Sequence, residues 1–163
     1  MTLNISGDSV TLYDAAEKAS WRFTDDPEAP GVELLFPTKP PVTLAPGDYL
    51  LLVKDLNLFA TRYTPPAGVK IFAWGDGNLA NDGEKVQLSR PGSQNMDGTW
   101  NWIRVDRVNY SDGLHPEEFP SGIDPWPVTA DGRGSSLSRI IPAGYGNDPA
   151  NWKAGTPTPG APN

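Results

Sequence analysis

Short runs of alternating or continuous apolar residues, each closed by glycine, proline or asparagine, succeed one another along the whole chain. Alternation begins at Val10-Thr11-Leu12-Tyr13 and resumes at Trp21-Arg22-Phe23, both readable as half-buried strands. An acidic, proline-containing loop over residues 24–31 leads to the run Val32-Glu33-Leu34-Leu35-Phe36. Pro40-Pro41 introduces a strand at 42–44, and Ala45-Pro46-Gly47-Asp48 is a turn signal before Tyr49–Val53. That last run is apolar on both phases, so it is expected as a central strand covered on both sides. Residues 55–63 carry the one helical spacing, with Asn57 as the expected cap and Leu58, Phe59 and Arg62 in register. Its length suits a short crossover between sheets.

The pattern continues as a strand at 69–74, a turn at Gly75-Asp76-Gly77 and a structured loop at 79–84. A strand at 85–89 should turn Val86 and Leu88 inward, with a polar loop at 90–99 after it. Beyond this, Ile103 and Val105 share one phase while Val108 and Tyr110 share the other, so a β-bulge is expected near Asp106-Arg107. Residues 111–127 show no periodicity, 136–141 is the last expected strand, and the tail 147–163 reads as irregular. About eight or nine short strands, one helical turn and no internal repeat describe an all-β sandwich or barrel in a single domain, 1–163.

Composition agrees: 17 glycines and 18 prolines in 163 residues favour turns over helices. The net charge of −7 is spread evenly, with six basic and ten acidic residues in 1–81 and seven and ten in 82–163. No basic face is evident from this distribution, so nucleic acid is not expected as a partner. The absence of cysteine removes disulfides, thiolate metal sites and cysteine nucleophiles, without fixing a compartment. No run approaches the length of a membrane span. The start Met1-Thr2-Leu3-Asn4-Ile5 lacks the basic and apolar regions of a signal peptide, which leaves a cytosolic protein or an internal piece of a longer chain, and the second is expected.

Three stretches resemble the lamin-tail domain family, immunoglobulin-like modules of nuclear lamins and of many secreted bacterial proteins. The most specific comprises Asp124-Pro125-Trp126-Pro127, Ala130-Asp131-Gly132-Arg133-Gly134-Ser135-Ser136-Leu137-Ser138-Arg139-Ile140, Asn147-Asp148-Pro149-Ala150-Asn151-Trp152 and the end Pro157-Thr158-Pro159-Gly160-Ala161-Pro162-Asn163. The second is Leu44-Ala45-Pro46-Gly47-Asp48-Tyr49-Leu50, the third residues 79–85 with Val86-Gln87-Leu88. The chain departs from the family in a short entry, where Asn4 stands for the family's asparagine, and in the longer loops 90–101 and 111–123. The resemblance implies an immunoglobulin-like β-sandwich and a non-catalytic structural or interaction module of a larger bacterial secreted or cell-surface protein. Other domains of that parent chain and a protein or polysaccharide ligand are then the expected partners, and no cofactor is expected. On physical grounds, Gly132 and Gly134 provide backbone freedom for a turn, Asn147-Asp148-Pro149 forms a side-chain-bonded turn, and Trp126 and Trp152 plug an open end of the sandwich.

Candidate chemistry is sparse. Trp100 and Trp102, two apart on a strand, face the same side and suit a sugar ring or peptide if that side meets solvent; otherwise they are core. This sets the alternative of a carbohydrate-binding module, with or without calcium. His115, the one histidine, lies in Leu114-His115-Pro116-Glu117-Glu118 near Asp112 and Asp124. His115 and Glu117 are ligand-binding candidates, and a hydrolase centred on His115 is a remoter alternative lacking a nucleophile motif. A calcium reading of Asp76, Asn78, Asp82 and Glu84 fails the EF-hand spacing and competes with a plain Asx-rich turn. Asp25, Asp26 and Glu28 are expected as a solvated loop rather than as a glycosidase carboxylate pair.

Overall fold

A computed structural model describes residues 1–132 and 134–162; Arg133 and Asn163 of the C-terminal stretch lie outside the described residues. The chain is all-β, with a three-stranded and a four-stranded sheet on either side of the core and three two-stranded ladders beside them. The first half supplies β1 (Thr2–Leu3), β2 (Val10–Thr11), β3 (Tyr13–Asp14), β4 (Ala19–Ser20), β5 (Arg22–Thr24), β6 (Glu33–Leu35), β7 (Thr43–Leu44), β8 (Tyr49–Val53) and β9 (Lys70–Ala73). The second half supplies β10 (Gly83–Gln94), β11 (Trp100–Ser111), β12 (Ser136–Arg139) and β13 (Trp152–Gly155). Segments outnumber the eight or nine expected because single runs break into two-residue ladders, as 10–14 does into β2 and β3.

One sheet has the order β1-β8-β9, placing Tyr49–Val53 in the middle as its two-sided apolar pattern requires. β8 and β9 run parallel, and the helix α1 (Leu56–Ala60) is the crossover between them. Its cap is Asp55 rather than Asn57. Asp55 has extended backbone (φ −139°, ψ 123°) and its carboxylate accepts from the Leu58 N–H at 2.8 Å, whereas Asn57 is already inside the helix. The other sheet, β11-β10-β5-β6, is antiparallel throughout.

The core lies between the sheets: Leu12, Phe36, Val42, Leu44 and Leu50 are buried together, with Leu52 and Phe72 from one sheet and Leu34 and Leu88 from the other packed against them. Phe36 meets Phe72 edge-on at 5.8 Å. Leu88 therefore faces inward as expected. Asn4 pins β1 by donating its amide to the Asp8 and Leu44 carbonyls, both at 2.9 Å.

The expected loop at 90–99 is mostly strand. β10 runs on to Gln94, and only residues 95–99 turn the hairpin. Pro91-Gly92 signals a break, but the ladder absorbs it with an extra residue on β10, from Pro91 opposite Trp102 to Gln94 opposite Trp100. The expected bulge on β11 exists one residue early: Leu88 opposes Asp106 and Ser89 opposes Arg104, leaving Val105 unpaired. The tail is also less irregular than expected, because Trp152–Gly155 pairs antiparallel with Ser136–Arg139. Among the described residues, no helix is long and apolar enough to cross a membrane.

Candidate functional site

The residues singled out from the sequence fall in two places. Trp100 and Trp102 lie at the start of β11, whereas His115 follows its end, beside Asn109 and Tyr110. At about 3.3 Å per residue, Trp102 and Tyr110 are roughly 25 Å apart, so the indoles and the histidine do not form one site.

His115 sits where the chain leaves β11 and enters a short 3₁₀ turn at Pro116–Glu118. Asp124 organises this loop. It accepts the Ser111 hydroxyl, the His115 N–H at 3.2 Å and the Trp126 N–H at 3.0 Å. Burial opposes ionisation of Asp124, but these hydrogen bonds outweigh it and hold the carboxyl below its ordinary value. The imidazole is bracketed: Nδ1 lies 3.2 Å from a Glu117 carboxylate oxygen and Nε2 3.6 Å from one of Asp112. The Glu117 hydrogen bond, aided by the charges of Asp112, Glu117 and Glu118, raises the His115 pKa. Glu117 is lowered, first by its own backbone N–H and then by His115.

A serine–histidine pair needs one imidazole nitrogen facing a hydroxyl. Here both face carboxylates, and the Ser111 hydroxyl is engaged by Asp124. What remains is a hollow of about 160 Å³ lined by Asp82, Glu84, Asn109, Tyr110, His115 and Glu118. Burial and the charges of Glu84 and Asp82 push the Tyr110 phenol up to about 12, and its hydroxyl donates to the Ala80 carbonyl at 2.6 Å.

The calcium candidates separate. Asn78 accepts from the Lys54 ammonium, and Glu84 accepts the Ala80 N–H at 2.9 Å. Asp76 is exposed, and Asp82 faces the hollow beside His115. Among the described residues, no three His, Cys, Asp or Glu side chains gather as a metal site would. The loop is better explained by its turns, with Gly77 at φ +77°.

Asp25 corrects the expectation of a solvated loop. It is 6% exposed, and its carboxylate takes the N–H groups of Asp26, Gly31 and Val32 at 2.6, 3.0 and 2.9 Å. It is the clamp that closes the 25–32 loop. An acid followed six and seven residues later by Gly31-Val32 carries little signal of this before the turn is seen.

On the outer face of the β11-β10-β5-β6 sheet, Trp100 and Trp102 are both half-buried, neither plainly exposed nor core. Trp102 opposes Pro91, Arg22 opposes Ser89, and the Arg22 guanidinium reaches across β10 to lie 4.3 Å from the Trp102 ring centre. Ser89 and Pro91 are fully buried beneath these two long side chains. Arg22, 6% exposed, also contacts Glu33 at 3.2 Å and the Pro27 carbonyl at 3.2 Å. One face of the Trp102 indole is thus covered by a cation. Sequence spacing could pair the two indoles, but not foresee a cation arriving from a strand eighty residues earlier.

In the C-terminal stretch, Trp126 is 4% exposed and packs on Trp152 at 5.9 Å. The Trp152 indole N–H donates to the Gly146 carbonyl at 2.9 Å, and Arg139 lies over its ring at 5.2 Å. The Asp148 carboxylate accepts the Ala150 N–H, and the Asn147 side chain accepts the Asn109 N–H, fastening the turn to β11. Asn151, buried, exchanges hydrogen bonds with both backbone groups of Ile141. Compared with known proteins, the chain matches no family model, no curated protein and no solved structure.

Proposed function

We propose that this chain is a non-catalytic structural or interaction module of the lamin-tail type, serving a larger bacterial secreted or cell-surface protein. The observation that carries this reading is the engagement of its chemistry: both nitrogens of the one histidine meet carboxylates, and the neighbouring serine is spent on Asp124. The tryptophans and acids of the 124–152 stretch act as packing and turn elements, which supports the lamin-tail resemblance at the level of roles. Incubation of the purified chain with nitrophenyl esters, glycosides and phosphates should give no turnover above buffer. Turnover that disappears in His115→Asn refutes the reading and favours the hydrolase alternative.

A second reading, a carbohydrate-binding surface at Trp100 and Trp102, is favoured by their common face on β11, where both keep part of their surface in solvent. Arg22 over Trp102 argues against a purely neutral sugar platform.

A further inference from the structure

Register turns an evenly charged sequence into an uneven surface. Side chains opposite one another in an antiparallel ladder share a face. Ser89 opposes both Arg22 and Arg104, Gln87 opposes both Thr24 and Arg107, and Lys85 opposes Asn109. Lys85, Gln87, Ser89 and Pro91 alternate along one side of β10, the side over which Arg22 and Trp102 meet. Arg22, Lys85, Arg104 and Arg107 therefore share the outer face with Trp102, and Trp100, two residues before it on β11, joins them.

Two of these cations have carboxylate partners: Arg22 with Glu33, and Lys85 with Asp26 at 3.8 Å. Among the described residues, Arg104 and Arg107 form no ion pair, and the buried Nε atoms of Arg22 and Arg107 have no hydrogen-bond partner. Arg104 is exposed. A chain of net charge −7 thus presents a patch with two guanidinium groups outside any ion pair beside two half-buried indoles.

We propose that this outer face binds an acidic polysaccharide, with pyranose rings against Trp100 and the free side of Trp102, and carboxylates on Arg104 and Arg107. This rests on the reading of the chain as an interaction module. The two indoles and the two unpaired arginines follow one another along β11, a linear spacing that suits an extended polymer. Indoles offer broad faces to sugar rings, and guanidinium groups pair with carboxylates in a planar fork. Nucleic acid carries a charge about every 1.7 Å, too dense for two unpaired cations on an acidic protein to offset. A polymer of uronic acids carries its charges a sugar ring or more apart. Register thereby gathers cations that the even spread of charge along the chain does not show, without making nucleic acid the partner.

The experiment is calorimetric titration of the full chain with octagalacturonate in EDTA, alongside its methyl-esterified form, poly-L-glutamate and an oligothymidylate. Binding of octagalacturonate alone is expected. Arg104→Gln and Trp100→Ala should each weaken it about tenfold, with urea midpoints showing that both variants fold. Equal binding of the esterified oligomer overturns the anionic assignment, and equal binding of poly-L-glutamate or the oligothymidylate overturns the saccharide assignment. Lack of binding, or unchanged affinity in both variants, overturns the site. Shortening of the oligomer during incubation is the separate outcome that refutes the non-catalytic reading while leaving the binding face standing.

Discussion

Replacing Asp25 tests whether one buried carboxylate holds the 25–32 loop against the sheet. Its oxygens accept three backbone N–H groups, and one of them belongs to Val32, which is fully buried. Bonds to a charged acceptor contribute about 1.5–3 kcal/mol each, and a buried N–H left without an acceptor costs about 1–3 kcal/mol. These terms overlap, and the Asp26 and Gly31 amides can turn to water. Asp25→Ala is therefore expected to cost about 3–5 kcal/mol, a substantial part of the 5–15 kcal/mol typical of a domain. Asp25→Asn keeps the shape and one acceptor oxygen but aims an amide donor at an N–H, so about 2–3 kcal/mol is expected. In urea unfolding followed by circular dichroism, the midpoint should fall with the slope unchanged, and Tm should drop by about 2–4 °C per kcal/mol. Exposed Glu28, replaced by Ala, is the control and should stay within about 0.5 kcal/mol. A loss below about 1 kcal/mol in Asp25→Ala would show that the Gly31 and Val32 amides find other acceptors, and the clamp argument would be wrong.

Gly77→Ala should destabilise by at least about 2 kcal/mol, because the added Cβ would lie 1.9 Å from the Gly31 carbonyl oxygen at φ +77°. Combined with Asp25→Ala, its effect should be less than additive in the same urea assay, since both disturb Gly31. Trp126→Ala should cost about 3–5 kcal/mol and reduce the near-ultraviolet signal of the Trp126–Trp152 pair. His115 gains stability from its carboxylates only when protonated, because its folded pKa is raised. That contribution is complete below the ordinary value near 6.5 and fades as pH rises through the folded pKa. Wild type should therefore lose stability relative to His115→Gln as pH climbs above about 6.5, and parallel pH profiles would contradict the bracketed geometry.

The apolar runs placed most strands, and they did so best where both phases were filled, as at Tyr49–Val53. They failed where long-range pairing overrode a local signal. Pro91-Gly92 reads as the end of a strand, yet a twelve-residue β11 carries β10 through it by accepting one extra residue. The cap moved from Asn57 to Asp55 because periodicity locates a helix without locating its first residue. At the candidate sites, spacing put Trp100 and Trp102 on one face and put Glu117 within reach of His115. It was blind to the Asp25 clamp, which depends on how the 25–32 loop turns back on itself, and to the Arg22–Trp102 contact, which joins residues eighty apart. Even charge along the chain likewise gave no sign that Arg104 and Arg107 stand beside Arg22 and Lys85, because register, not order, decides which cations stand together.

The smallness of Ser89 and Pro91 has a consequence for how this sequence can drift. Arg22 and Trp102 meet only because the strand between them carries side chains short enough to pass beneath. A bulky residue at position 89 would part the pair without touching either member. Positions 22, 89 and 102 should therefore change in concert among descendants of this chain, and a lineage that enlarges residue 89 should be free to lose both the arginine and the indole.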